Sequence, residues 1–337
     1  MLEVGLVGAF IPGLELSRLY YAEAVRPVLD AAFPGLPHSA ALLGRGSEAL
    51  GFDDEMSTDH DWQARVLLFL AEDDEQVSEV LRRELPSTYR GHPTDVSVHT
   101  IRAYVREHLE FDIAGEIEVP DWLTFTEQNL LALTAGAVHH DDLGLQTVRD
   151  RFAYYPRDVW LYLLVAGWWR VHPEMNLAGR AGSVGDELGS ALIGSRLVTD
   201  LMQLCFLMER QYAPYPKWFG TAFSRLACGP TLTPILSDVV KADSWQTREA
   251  ALLTAYEELA KMHNALHLTD PVTTEIERMW DRPFKVAWAD FPGLLTPQIQ
   301  DPTVQQIATR WPFGPIDRFR DLLWPRNTRP RLRRLFD

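Results

Sequence analysis

Apolar positions recur at helical spacing near the start of the chain. Leu14, Leu16, Leu19, Tyr20, Ala24, Val25, Val28 and Leu29 predict a helix over residues 14–33, which Pro34 ends. Ser39-Ala40-Ala41-Leu42-Leu43 reads as a short apolar strand running directly into Gly44-Arg45-Gly46-Ser47-Glu48. An acidic, polar loop from Leu50 to Thr58 leads to a second predicted strand, Asp59 to Leu70. Its far half, Val66-Leu67-Leu68-Phe69-Leu70, is apolar enough to be central in a sheet. Glu75 to Glu84 is a polar helix carrying Val77, Val80 and Leu81. Thr94 to Thr100 alternates, with Val96 and Val98 on one face and Asp95, Ser97 and His99 on the other.

After about residue 120 strand signals fade and helical patterns dominate: Glu127 to Ala137, Asp158 to His172, Val184 to Tyr212, Trp218 to Cys228, Thr247 to His267 and Pro315 to Leu323. The longest of these has apolar residues on more than one face, the pattern of a helix at the centre of a bundle. Val119-Pro120-Asp121 marks the boundary, giving an α+β domain over residues 1–119 and an all-helical domain over residues 120–337.

Composition narrows the partners. A formal net charge of −15 over 337 residues argues against a general nucleic-acid binder, because phosphate backbones select Lys and Arg surfaces. Only Arg326, Arg329, Arg331, Arg333 and Arg334 run the other way, as a solvated tail. Cys205 and Cys228 form no Cys-x-x-Cys pattern and read as small buried hydrophobes. Val159 to Trp169, the longest apolar run, is well short of the roughly 20 residues that span a bilayer. Glu3 stands where a signal peptide would be basic, so the expected setting is cytoplasmic, with no membrane partner.

The chemistry concentrates between the first two strands. Glycine permits close backbone approach at Gly44 and Gly46, the turn's N–H groups can meet phosphate, and Ser47 adds a hydroxyl. Asp59 and Asp61, one residue apart on a strand, would share a face at roughly 6 to 7 Å and could hold a pair of hard cations. His60, between them, would point the other way. Glu48, Asp53, Asp54 and Glu55 read as solvated loop acids. On the third strand Asp95 is the acidic candidate and His99 a possible base near neutral pH.

The pattern Leu43-Gly44-Arg45-Gly46-Ser47-Glu48 followed by Asp59-His60-Asp61 resembles the signature of the DNA polymerase β-like nucleotidyltransferase superfamily. Together with Gly13-Leu14-Glu15-Leu16-Ser17, Asp59-His60-Asp61-Trp62, Tyr155-Pro156, Gly185-Asp186-Glu187-Leu188-Gly189 and the run from Gln211 to Phe223, it is similar to a bacterial nucleotidyltransferase-like family of unknown function. That family follows Asp-His-Asp-Trp with Gly-Pro, where this chain has Gln63-Ala64. The resemblance implies a minimal nucleotidyltransferase domain, a small mixed sheet with helices, followed by a helical substrate-binding domain. It also implies magnesium-dependent transfer of an NMP from an NTP to a small-molecule or protein acceptor with release of pyrophosphate. Asp59 and Asp61 would bind two magnesium ions, and Asp95 would complete the catalytic carboxylates.

In the helical half, Lys217 suits a triphosphate, while Arg180, Tyr212, Tyr215 and Trp218 suit an anionic or ring-bearing substrate. Ser183-x-x-Asp186 reads as a capping box opening the long helix. Two rivals remain. One is a noncatalytic nucleotide-binding regulatory protein; the other is a metal phosphohydrolase using His140 and Asp141, from the run His139-His140-Asp141-Asp142 placed at a helix end.

Overall fold

A computed structural model describes residues 10–59, 62–278, 281–282, 284–287, 289–318 and 333–336. The chain is α+β and divides into two compact units, residues 1–116 with 128–153 and residues 117–127 with 154–337. The first unit therefore reclaims a segment beyond the expected boundary at residues 119–121.

In the first unit, α1 (Gly13–Tyr20) passes through a π-helical turn (Tyr21–Val25) into α2 (Arg26–Ala32), the helix that the apolar spacing predicts. There follow β1 (Ser39–Leu42), α3 (Ser47–Leu50), a 3-10 turn (Glu55–Asp59), β2 (Ala64–Leu70) and α4 (Glu75–Glu84). Next come β3 (Thr88–Tyr89), β4 (His92–Thr100) and α5 (Ile101–Leu109). The chain then makes α6 (Val119–Thr124) in the second unit, and α7 (Glu127–Thr134) leads back to β5 (Ala137–Asp141) and α8 (Leu145–Asp150) in the first.

The sheet order is β3-β4-β2-β1-β5. β1 runs antiparallel to both β2 and β5, and β2 runs parallel to β4. Ala40, Ala64, Val66, Leu68, Leu70, Val96 and Val98 pack on one face against Leu16, Tyr20, Val25 and Leu29 of the first helix and Val77 and Leu81 of α4. The pleat sends Arg65, Leu67 and Phe69 to the other face, with Asp95, Ser97 and His99 directly beside them in register.

The second strand is shorter than its sequence suggests. Asp59 closes a 3-10 turn, and pairing begins only at Ala64. The acidic stretch makes its own local bonds: Asp54 accepts from the backbone N–H of Ser57, and the Thr58 hydroxyl donates to the Glu55 carbonyl. Such side-chain bonds compete with ladder formation. The fifth strand gives little sequence signal. It is five residues long, and its apolar positions are interrupted by two histidines.

The second unit comprises α6, α9 (Arg157–Val171), α10 (Leu177–Ser183), α11 (Glu187–Met208), α12 (Pro216–Ser224), α13 (Gly229–Lys241) and α14 (Trp245–Ala265). A small hairpin of β6 (Ile276–Arg278) and β7 (Lys285–Ala287) departs from the all-helical expectation, and α15 (Phe291–Leu295) and α16 (Pro302–Arg310) follow. Its core is aromatic, with the Trp168 ring stacked on Phe291 at 3.7 Å. The long helix α11 is buried along its second half, whereas Leu188 and Leu192 of its first half are exposed. Of the predicted helix at Pro315, a 3-10 turn (Ile316–Arg318) is seen and the remainder lies outside the described residues, as do Arg326, Arg329 and Arg331. Arg333 is half-buried and paired, with Glu118 and, at 3.1 Å, with Asp121.

Candidate functional site

The glycine turn leaves β1 at Gly44, whose φ of +126° is open to glycine but not to a side chain and whose N–H donates to the Ala132 carbonyl at 3.0 Å. Gly46 caps the single turn of α3, which Ser47 opens. Glu48 is the surprise of this segment. It is only 6% exposed, and its carboxylate accepts from Arg65 at 2.7 Å. The same Arg65 nitrogen also donates to the Leu43 carbonyl at 3.2 Å. Glu48 fills the space over the turn so closely that a Cβ at Gly46 would lie 2.1 Å from its carboxylate and one at Gly13 would lie 2.4 Å from its Cβ. Asp53 is similarly engaged, accepting from the Gly13 N–H at 2.6 Å and the Trp62 indole at 3.2 Å. Both were expected as solvated acids; Asp54 and Glu55 are exposed as expected.

Arg65 is the functional candidate that the motif reading missed. Its signal was a lone charged residue inside the otherwise apolar strand Ala64-Arg65-Val66-Leu67-Leu68. A half-buried position on such a strand favours a guanidinium where a partner waits for it.

Asp95 lies within the ladder of β4, directly beside Arg65 in the parallel pairing with β2, and so shares the face to which Arg65 points. On the same face His99 Nε2 lies 3.0 Å from the Ser97 hydroxyl. Burial lowers the His99 pKa, with nearby acids including Asp95 opposing more weakly, so the ring is neutral at pH 7. Asp59 is exposed at the end of its 3-10 turn rather than on a strand. His60 and Asp61 lie outside the described residues. Arg65 thus reaches the Gly44–Ser47 turn through the Leu43 carbonyl and Glu48, and Asp95 stands beside it on the neighbouring strand.

In the second unit, Lys217 is exposed in the first turn of α12, its ammonium 4.8 Å from the Trp218 ring. Tyr215 caps that helix and is half-buried, as is Trp218. Arg180 is exposed on α10, 3.5 Å from the Asn176 side-chain oxygen. Tyr212 belongs to the core instead of a ligand surface: it is 6% exposed and packs on Tyr154 and Tyr155 at 5.1 and 5.2 Å. The long helix is capped by Asp186, which accepts from the Gly189 N–H at 2.7 Å. Ser183 ends α10 and takes no part in that cap, since its hydroxyl donates to the Arg180 carbonyl.

His139 to Asp141 form an edge strand rather than a helix end. The Asp141 carboxylate accepts from the Ser39 hydroxyl at 2.6 Å and from the Leu145 and Gln146 N–H groups at 2.8 and 2.9 Å, so it caps α8. Asp141 pairs in register with Ser39 and His140 with Ala40, so their side chains point to opposite faces of the sheet.

Comparison with known proteins adds a coarse frame. Residues 122–219 match a domain of unknown function, DUF4037, a stretch that holds Arg180, Tyr212, Tyr215, Lys217 and Trp218. A nucleotidyltransferase-like protein from Exiguobacterium sibiricum 255-15 is similar in structure at 11% identity, over 76% of this chain and 78% of that one, with a TM-score of 0.32. No curated protein matches the chain.

Proposed function

We propose that the protein is a magnesium-dependent nucleotidyltransferase that moves an NMP from an NTP to a small-molecule acceptor in the cytoplasm, releasing pyrophosphate. What supports this reading is Arg65, which donates to the carbonyl just before the glycine turn and has Asp95 beside it in register on the neighbouring strand.

The donors that the reading needs, Asp59, Asp95 and in the sequence Asp61, are all carboxylates, a set that fits a hard cation such as magnesium and not a soft one. Asp59 and Asp61 would hold it. When bound, it would neutralise triphosphate charge and favour the ionised acceptor. The turn's backbone amides and the donors of Arg65 that Glu48 leaves open would meet phosphate oxygens, with Glu48 kept on the guanidinium. Asp95, with the neutral His99 ring two residues on, would receive the acceptor's proton. In the helical unit, Lys217, Arg180, Tyr215 and Trp218 keep accessible groups suited to a polar substrate.

The test is Asp95→Asn in the full chain. NTP binding is expected to persist while pyrophosphate release falls by about a hundredfold or more. Release at the wild-type rate would remove Asp95 from the mechanism. A second reading, a noncatalytic nucleotide-binding regulator, draws on the Glu48–Arg65 pair, which satisfies the turn without a ligand. It is upheld if wild-type protein binds NTP but releases no pyrophosphate with any acceptor.

A further inference from the structure

A second cluster lies on the other face of the same sheet, at the β1–β5 edge. The antiparallel register pairs Ser39 with Asp141 and Ala40 with His140, and beyond it the Asp142 N–H donates to the His38 carbonyl at 3.1 Å. His140 lies within β5, Asp142 directly follows the last residue of that strand, and His38 directly precedes the first residue of β1, so the three meet where the two antiparallel strands end together. One ligating atom from each of His38, His140 and Asp142 lies within 4.8 Å of the other two.

The groups are prepared as ligands. His38 is 5% exposed, and its Nδ1 donates to the Leu36 carbonyl at 2.9 Å, which leaves Nε2 as the lone-pair nitrogen of the neutral ring. That nitrogen accepts from the Tyr21 hydroxyl at 2.8 Å. His140 Nε2 lies 2.8 Å from Asp142 Oδ2, and the two imidazole rings are 4.5 Å apart. The register shift between Ala40 and Ala41 is a bulge that leaves His139 unpaired, and both His139 and His140 stack near Tyr21. Tyr21 itself opens the π-helical turn and borders a groove of about 550 Å³ lined also by Glu15, Arg18, Arg26 and His139.

We propose that His38, His140 and Asp142 bind one zinc-class divalent ion, a site separate from the glycine turn and the carboxylates of the proposed transferase. Two imidazoles and one carboxylate suit a borderline metal better than magnesium. Tetrahedral coordination holds ligand atoms roughly 3.3 Å apart, so the exposed Asp142 carboxylate swings slightly away from His140 as the ion enters. Three protein ligands leave a fourth position for water or the Tyr21 hydroxyl. The ion would clamp β5 to β1.

The experiment uses tag-free, chelator-treated full chain titrated with Co2+, read by visible d–d absorption, with Zn2+ as competitor. One equivalent is expected to give a tetrahedral spectrum that Zn2+ displaces. Asp142→Asn and His140→Ala are each expected to weaken binding at least about tenfold, with the metal-free fold retained by far-UV circular dichroism. Zn2+ should raise the melting temperature of wild type and not of the double variant. Absence of stoichiometric Co2+ binding, or binding undiminished in the double variant, overturns the site.

Discussion

At the scale of single residues, the Glu48–Arg65 pair governs the glycine turn. Its side chains are 8% and 28% exposed, so removing the guanidinium strands a nearly buried carboxylate. Arg65→Ala is expected to cost about 3 kcal/mol in urea unfolding, and Arg65→Met combined with Glu48→Gln markedly less, because most of the loss is the unpaired charge rather than the pair itself. Equal costs for the two variants would show that Glu48 tolerates isolation. His263 supplies a pH signature in the other unit. Burial lowers its pKa from the ordinary 6.5 to about 4, among Trp168 and Phe291. The unfolded chain therefore takes up the proton first, so stability is fully present above about pH 6.5 and is lost as pH falls toward 4. The expected contribution is on the order of 3 kcal/mol, and His263→Gln should flatten stability across that window. An unchanged pH profile in the variant would contradict the assignment.

At the scale of elements, β5 depends on the glycine before it. Gly136 has φ +79°, and a Cβ there would sit 1.9 Å from the Leu42 carbonyl oxygen, backbone that cannot step aside. Gly144 has nearly the same φ, +78°, but open space around it. Gly136→Ala is therefore expected to cost more than about 2 kcal/mol and Gly144→Ala only about 1. Equal losses in a thermal melt would mean that strain alone, and not the close approach to β1, limits position 136. The same comparison explains what was legible. The first helix, β1, α4 and the alternating part of β4 could be read because periodicity and local propensity agree there. Strand β5 could not, because its edge position leaves it half-buried, without an apolar run, and its pairing is enforced from a distance by Gly136 and Ser39. The start of β2 was misplaced because capping and turn bonds among Asp54, Ser57 and Thr58 are worth more locally than an extension of the ladder.

At the scale of the molecule, the α+β class and the helical character of the second half follow from the sequence. The division does not, since residues 128–153 rejoin the sheet by long-range pairing that no local pattern announces. The candidate site was half legible. The glycine turn follows β1 and Asp95 lies on β4 as their spacing suggests, whereas Arg65 and the buried state of Glu48 emerge only from the register of β2 against β4 and the turn. Tyr212 shows the opposite error, a ring suited to ligands that the core consumes. On the proposed reading, a net charge of −15 calls for a cation at the carboxylates to offset a triphosphate. The decisive measurement is pyrophosphate release by the full chain with magnesium, each of the four NTPs and a panel of acceptors. Release is expected to depend on magnesium and to be lost in Asp59→Ala/Asp61→Ala; no release from wild type, or release undiminished in that variant, would contradict nucleotidyl transfer.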